Sequence, residues 1–167
     1  MSTNKSIHLA QTIRQKTEMM SALCKGLDEK IASRAPAGRW SPKQILSHLC
    51  GPEGVSKLSA IRAILEQDTP FVDLKAEDPF FTAKRSGMTF AELLSEFEAG
   101  YRQIADLVEG LSEEQLARKA YIPLFKETPM GEYPTLAMFI GGLAEFHMEF
   151  HLNHMREVLL ALGVGSK

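Results

Sequence analysis

Three of the chain's five histidines, His147, His151 and His154, fall within eight positions of the run Phe146-His147-Met148-Glu149-Phe150-His151-Leu152-Asn153-His154-Met155. Neutral imidazole is the commonest protein ligand for Zn²⁺ and also suits Ni²⁺, Fe²⁺ and Cu²⁺. An α-helix turns about 100° per residue, which puts His151 about 40° from His147 and His154 about 20° to its other side. All three therefore share one face, together with Ile140, Leu143 and Val158, while Glu145, Glu149, Asn153 and Arg156 fall opposite. That face points inward. Histidines at i and i+4 are about 6 Å apart along the axis, so His147 and His151 can reach one ion. His154 lies about 10.5 Å from His147 along the axis, which makes it a neighbour of such a site rather than a third ligand on it. The third ligand has to come from another helix, and His48 is the other histidine on an apolar face. Three histidines plus an open position would be a site of the catalytic kind. The competing reading is a set of core histidines bonded to carbonyls or water.

Two other metal patterns are excluded. A zincin needs His-Glu-x-x-His, but Met148 follows His147 and Glu149 points about 160° away from His151. A ferritin-like di-iron bundle needs Glu-x-x-His pairs, and the chain has none.

The elements that must position these residues read as helices. Leu9, Ile13, Met20, Leu23, Leu27 and Ile31 recur at helical spacing between about Ile7 and Arg34. Cys24 falls in that stripe as a packed thiol, and His8 stands apart in solvent. The stretch Ala35-Pro36-Ala37-Gly38-Arg39 breaks the pattern. A second helix then starts at Ser41 as N-cap, with Pro42 at the first position and Gln44 completing a capping box. Trp40 occupies the staple position before the cap. His48 follows two turns in, about 60° from Ile45. Gly51-Pro52 predicts a kink, because proline lacks an N–H and clashes with the carbonyl four residues back, here that of His48. Val55, Leu58, Ile61 and Leu65 carry the pattern on to about Gln67.

Asp68 to Gly87 reads as irregular, with Pro70, Pro79 and three phenylalanines, Phe71, Phe80 and Phe81. So long a segment suits a crossover between helices that are not antiparallel neighbours. Thr89, with Glu92, caps a third helix whose stripe runs from Phe90 through Leu107, and Gly110 ends it. Ser112 to Gln115 forms a further capped turn. Tyr121 to Tyr133 is a second loop, and Pro134 opens a last helix that stops at Gly163. These elements predict an all-α fold, a four-helix bundle with a long crossover between helices 2 and 3. If helices 2 and 4 run antiparallel, His48 is level with His147 and His151.

The 167 residues are expected to form one domain, 1–167, with 44% hydrophobic and 24% charged content. A formal net charge of -2 and a pI near 6.2 disfavour nucleic acid and anionic membrane as partners. Cys24 and Cys50 have no metal or redox spacing, and Cys50 lies about 200° from His48 on an ideal helix, away from any shared ion. Without a signal-like or membrane-spanning run, a cytoplasmic protein is expected.

The stretch Trp40-Ser-Pro-Lys-Gln-Ile-Leu-Ser-His48-Leu resembles the Trp-Ser-Pro-x-x-x-x-x-His-Leu signature of the DinB/YfiT-like superfamily. His147-x-x-x-His151-Leu-Asn-His154-Met is similar to its second signature. The resemblance implies an up-down-down-up bundle, often a homodimer, holding one divalent metal ion on three histidines, by position His48, His147 and His151. His154 stands where many members carry Gln and would line the site. Members include metal-dependent thiol S-transferases, which use a low-molecular-weight thiol cosubstrate, an isomerase and hydrolases. The expectation is thus an open three-histidine metalloenzyme of the thiol S-transferase or hydrolase kind acting on a small molecule, with Zn or Ni as the ion. By their own positions, Glu53 is a candidate base or supporting partner, or else a solvated surface carboxylate, and Phe71, Phe80, Phe81, Tyr121 and Tyr133 form an apolar wall or lid, or else anchor their loops. The alternative is a non-catalytic bundle in which the metal stabilises the fold or a dimer.

Overall fold

The computed structural model describes residues 2–165, and among them every regular element is helical. In chain order they are α1 (Asn4–Cys24), α2 (Glu29–Ala32), α3 (Pro42–Cys50), α4 (Lys57–Glu66), α5 (Ala83–Gly87), α6 (Phe90–Glu109), α7 (Glu113–Leu116), α8 (Leu136–Gly141) and α9 (Met148–Ala161). A π-helical turn, Gly142–His147, joins α8 to α9. Four arms, α1, α3–α4, α6 and α8–α9, make a four-helix bundle in which α6 packs on α1, α3 and α4, while α9 packs on α1 and α3. Ile13, Met20, Ile45, Phe97, Met148 and Leu152 fill the space between them without exposure.

Local chemistry explains where the arms start. Ser41 accepts from the Gln44 N–H, and the Gln44 side chain returns to the Ser41 N–H, closing the expected capping box. Thr89 and Glu92 do the same for α6. The arms differ from the sequence expectation in where they break. α1 ends at Cys24 rather than near Arg34: Lys25 leaves the helical region at ψ 126 and Gly26 takes φ 76. Asp28 then caps the separate turn α2. The kink expected at Gly51-Pro52 is a complete break. Gly51 turns at φ 78, in the left-handed region, and donates its N–H to the His48 carbonyl that Pro52 cannot serve. The chain restarts at α4 under a Ser56 cap.

The stretch between α4 and α6 contains the short helix α5, capped by Thr82, and is otherwise irregular. It is tied to the second loop by a bridge between Phe71 and Tyr121, with the Val72 N–H donating to the Tyr121 carbonyl at 2.9 Å. The last arm starts under a Thr135 cap, close to the expected Pro134. The π-helical turn within it is a feature that the periodicity does not reveal: the Met148 N–H bonds to the Leu143 carbonyl, five residues back. No helix among the described residues is long and apolar enough to cross a membrane.

Candidate metal centre

α3 brings His48 to the bundle interior, and the π-turn and α9 bring His147 and His151 to meet it. Each of the three offers a ring nitrogen, and these atoms lie within 4.8 Å of one another. Their ring centroids are 4.5 Å (His48–His151), 4.7 Å (His147–His151) and 5.1 Å (His48–His147) apart. His48 and His151 are buried, while His147 and His154 are half-buried. His154 stands one step out, 5.7 Å from His151 by ring centroids. Glu53 is exposed and accepts a hydrogen bond from Thr82 Oγ1 at 3.1 Å. Cys50 is not among the converging donors.

The protonation of the cluster follows from its contacts. His48 Nδ1 is 2.6 Å from the Asp78 carbonyl oxygen, which can only accept, so Nδ1 carries the proton and donates. A neutral His48 then has a bare Nε2 lone pair. That atom lies 2.9 Å from His147 Nε2, so in the neutral cluster the His147 Nε2–H donates to it. The arrangement leaves His147 Nδ1, and likewise His151 Nδ1 and His154 Nδ1, buried with no hydrogen-bond partner.

All four rings are held neutral. Burial is the largest cause in each case, since a charged imidazolium loses hydration inside the bundle. His147 is pushed down to about 2 by burial, reinforced by the charge of Lys57 and by its histidine neighbours. His151 is pushed down to about 3 by burial and then by His48 and His154. His48 is lowered by burial, against the opposing pull of the Asp78 carbonyl, and His154 is lowered by burial and then by Arg39. Neutral imidazole is the form that binds metal.

Aromatic rings enclose the cluster. Trp40 stacks on His151 at 6.3 Å with an interplanar angle of 7°, and also packs on His48 and His154. Phe80 stacks on His48 at 5.8 Å and 6°, and Phe150 meets His151 edge-on at 5.0 Å. Sequence reading assigns Trp40 to a helix staple, but its ring is spent on the histidines. On one side the cluster opens into a cavity of about 1330 Å³. Of the expected loop aromatics, Phe71 and Phe80 line it, joined by Phe125, Met138, Phe139 and Phe146. Tyr121 instead stacks on Tyr133 at 5.1 Å.

The residues fit a divalent ion. They provide three converging neutral nitrogen donors; one has its tautomer fixed by a backbone carbonyl, as metal-ligating histidines commonly do. Two more have buried Nδ1 atoms without partners. Asp78 enters through its main-chain oxygen, a contribution that no residue type announces.

The model of the DinB superfamily matches residues 12–156. The chain belongs to the DinB superfamily. Among solved structures it resembles YfiT from Bacillus subtilis, described as a probable metal-dependent hydrolase with an unusual four-helix bundle topology. The identity is 17%, the TM-score is 0.79, and the match covers 98% of this chain and 90% of that one. It also resembles an uncharacterised protein from Clostridium difficile 630, with 15% identity, a TM-score of 0.64, and coverage of 94% and 96%. No curated protein matches the chain. At these identities the two structures bear on the fold alone.

Proposed function

We propose that this DinB-superfamily protein is a metal-dependent enzyme in which His48, His147 and His151 hold one divalent ion, Zn or Ni, at the wall of a pocket for a small, largely apolar substrate. The observation that carries this reading is the convergence of three neutral imidazoles on a cavity large enough for a small-molecule substrate. A purely structural ion is favoured by a closed, four-ligand shell, whereas three protein ligands beside open space leave a position for exchange. When bound, the ion would supply Lewis acidity and lower the pKa of water or a thiol into the neutral range.

The chain's own residues do the rest. The Asp78 carbonyl holds the His48 proton on Nδ1, away from the cluster. Trp40 and Phe80 shield the imidazoles from water on two sides. Phe139 and Met138 present apolar surface to a bound molecule, and His154 lines the same pocket. Glu53, tethered to Thr82, would support the α3–α4 break beside His48. Hydrolysis is the first reaction to test, because YfiT is described as a probable metal-dependent hydrolase. Thiol transfer with a low-molecular-weight thiol is the second. A homodimer, implied by the sequence resemblance, completes the proposal and is checked by sedimentation.

The deciding measurement is elemental analysis of protein purified without a metal-affinity tag, followed by a screen of ester, amide and thiol-plus-electrophile substrates. About one ion per chain, with turnover that a chelator abolishes, supports the enzyme. Less than about 0.2 ion per chain, unchanged after adding Zn²⁺ or Ni²⁺, overturns it.

A further inference from the structure

Arg85, in α5, is the largest side chain fully enclosed by the fold, at 2% exposure. Neither of the two histidine motifs contains it. Burying a guanidinium carries a heavy desolvation cost, and a well-packed apolar side chain is often at least as stable in such a place. What arginine offers and an apolar residue does not is a rigid planar set of donors. Here one of its nitrogens, Nη1, gathers two segments, while Nε is buried without a partner. Nη1 donates to the Ser47 carbonyl at 2.9 Å, to Ser47 Oγ at 3.2 Å and to the Phe80 carbonyl at 3.3 Å. Ser47 Oγ donates to the same Phe80 carbonyl at 2.9 Å. The half-exposed Glu96 is 3.6 Å from Nη2.

The two gathered segments are the ones that set His48. Ser47 immediately precedes it on α3. Phe80 stacks on its ring and belongs to the turn whose Asp78 carbonyl receives the His48 Nδ1 proton at 2.6 Å. That turn does not hold itself comfortably. Glu77 and Phe80 sit at φ 53 and φ 48, a left-handed conformation disfavoured for residues with a Cβ. Within the turn the Asp78 side chain accepts from the Phe80 N–H at 2.7 Å and the Thr82 N–H donates to the Phe80 carbonyl at 3.1 Å; the polar contacts that hold it against α3 come from Arg85, Ser47 and His48 itself.

We propose that Arg85 is a positioning residue of the histidine centre. By clamping Ser47 to Phe80 it keeps the Asp78 carbonyl on His48 Nδ1, and so commits His48 to the tautomer whose Nε2 lone pair faces His147 and His151. The service to an ion rests on the function proposed above; the choice of tautomer does not.

The test uses the full chain carrying Arg85→Met, which keeps an apolar stem and removes every donor, or Ser47→Ala, which removes the hydroxyl link. Long-range ¹H–¹⁵N spectra of the metal-free protein read the His48 tautomer, and competition with a chromophoric chelator reads Zn²⁺ affinity. Wild type should show His48 protonated at Nδ1 alone. Both variants should show a mixture of tautomers and bind Zn²⁺ about tenfold more weakly, the size usual for loss of an outer partner of a metal-binding histidine. Ile13→Val, a core change on α1, should lower the melting temperature and move neither readout. Folded variants with His48 still wholly Nδ1-protonated would overturn the proposal. If Arg85→Met does not fold, Ser47→Ala decides it. If wild type binds no Zn²⁺, the metal reading falls, and the tautomer spectra still decide the role of Arg85.

Discussion

His48 and the His147–His151 pair meet at one point, yet the two sides of that meeting are held differently. His48 has both ring nitrogens engaged, Nδ1 by the Asp78 carbonyl and Nε2 by His147. His147 shares the bond to His48 through Nε2 and leaves its Nδ1 buried and unpartnered, as does His151; the His151 ring is set by packing, with Trp40 on one face and Phe150 at its edge. A hydrogen bond to a carbonyl fixes both ring position and proton location. Packing fixes position alone. His48 is thus preset for a ligand role and fixes the His147 proton with it, while His151 can redistribute its proton when a ligand arrives.

The largest expected effect comes from emptying the packed side. His151→Ala should lower Zn²⁺ affinity by about three orders of magnitude, or ~4 kcal/mol at 1.4 kcal/mol per tenfold. It should leave the helical circular dichroism unchanged. Chelator competition measures it, and an affinity within tenfold of wild type would show that His151 is a bystander and that the two sides are not partners.

Acid should expose the cost of keeping these rings neutral. His147 and His151 titrate at about 2 and about 3 in the fold, below the ordinary value of about 6.5 that they regain on unfolding. A depressed histidine pKa means that the unfolded state binds more protons, so stability rises with pH across that window. Metal-free protein should hold full stability above about pH 6.5 and lose about 1.4 kcal/mol per pH unit for each ring that stays neutral as the pH falls toward 4. Urea midpoints at successive pH values read the slope, and His147→Ala should flatten it. A flat profile in wild type would contradict burial as the governing influence.

Smaller effects separate the two sides further. Asp78→Ala removes the carboxylate that accepts from the Phe80 N–H but keeps the main-chain carbonyl on His48. It should cost about 1 kcal/mol of stability and about fivefold in Zn²⁺ affinity, less than loss of a direct partner. A loss as large as that of His151→Ala would mean that the turn, not the pair, dominates binding. Least of all should come from Cys50, whose thiol burial pushes up to about 12 and which is not among the converging donors. Cys50→Ala should leave Zn²⁺ affinity within about twofold, the scatter expected where no ligand is lost. A drop comparable to a histidine deletion would indicate a closed four-ligand site.

The two sides also differ in how far they could be read from sequence. Helical spacing places His147 and His151 on one inward face, and the Ser41-Pro42-Gln44 cap fixes the start of α3 so firmly that the depth of His48 follows. Those signals are local, and local periodicity is what sequence displays. The outer contacts of His48 are not local: the Asp78 carbonyl comes from 30 residues away, and a carbonyl is common to every residue. Arg85 resembles any surface arginine until α5 closes over it. Trp40 fits a staple position by spacing, while its ring is spent on three histidines instead. The early end of α1 is written faintly in Gly26 and Asp28, but the periodic apolar residues on either side conceal it.

The π-turn between Gly142 and His147 has a consequence for how this helix tolerates change. In an uninterrupted α-helix, adding or deleting one residue rotates everything beyond it by about 100° and ruins the buried face. A π-turn is the scar of one such extra residue, absorbed within a single turn. α8 keeps the register that buries Leu136 and Ile140, and α9 keeps a register that buries His151, Leu152 and Met155; the turn accommodates the mismatch between them. Deletion of the exposed Glu145 should therefore relax the segment to ordinary α-helix with both flanking faces still buried. Here the length of the chain can vary by a residue upstream of His151 without moving it off the centre.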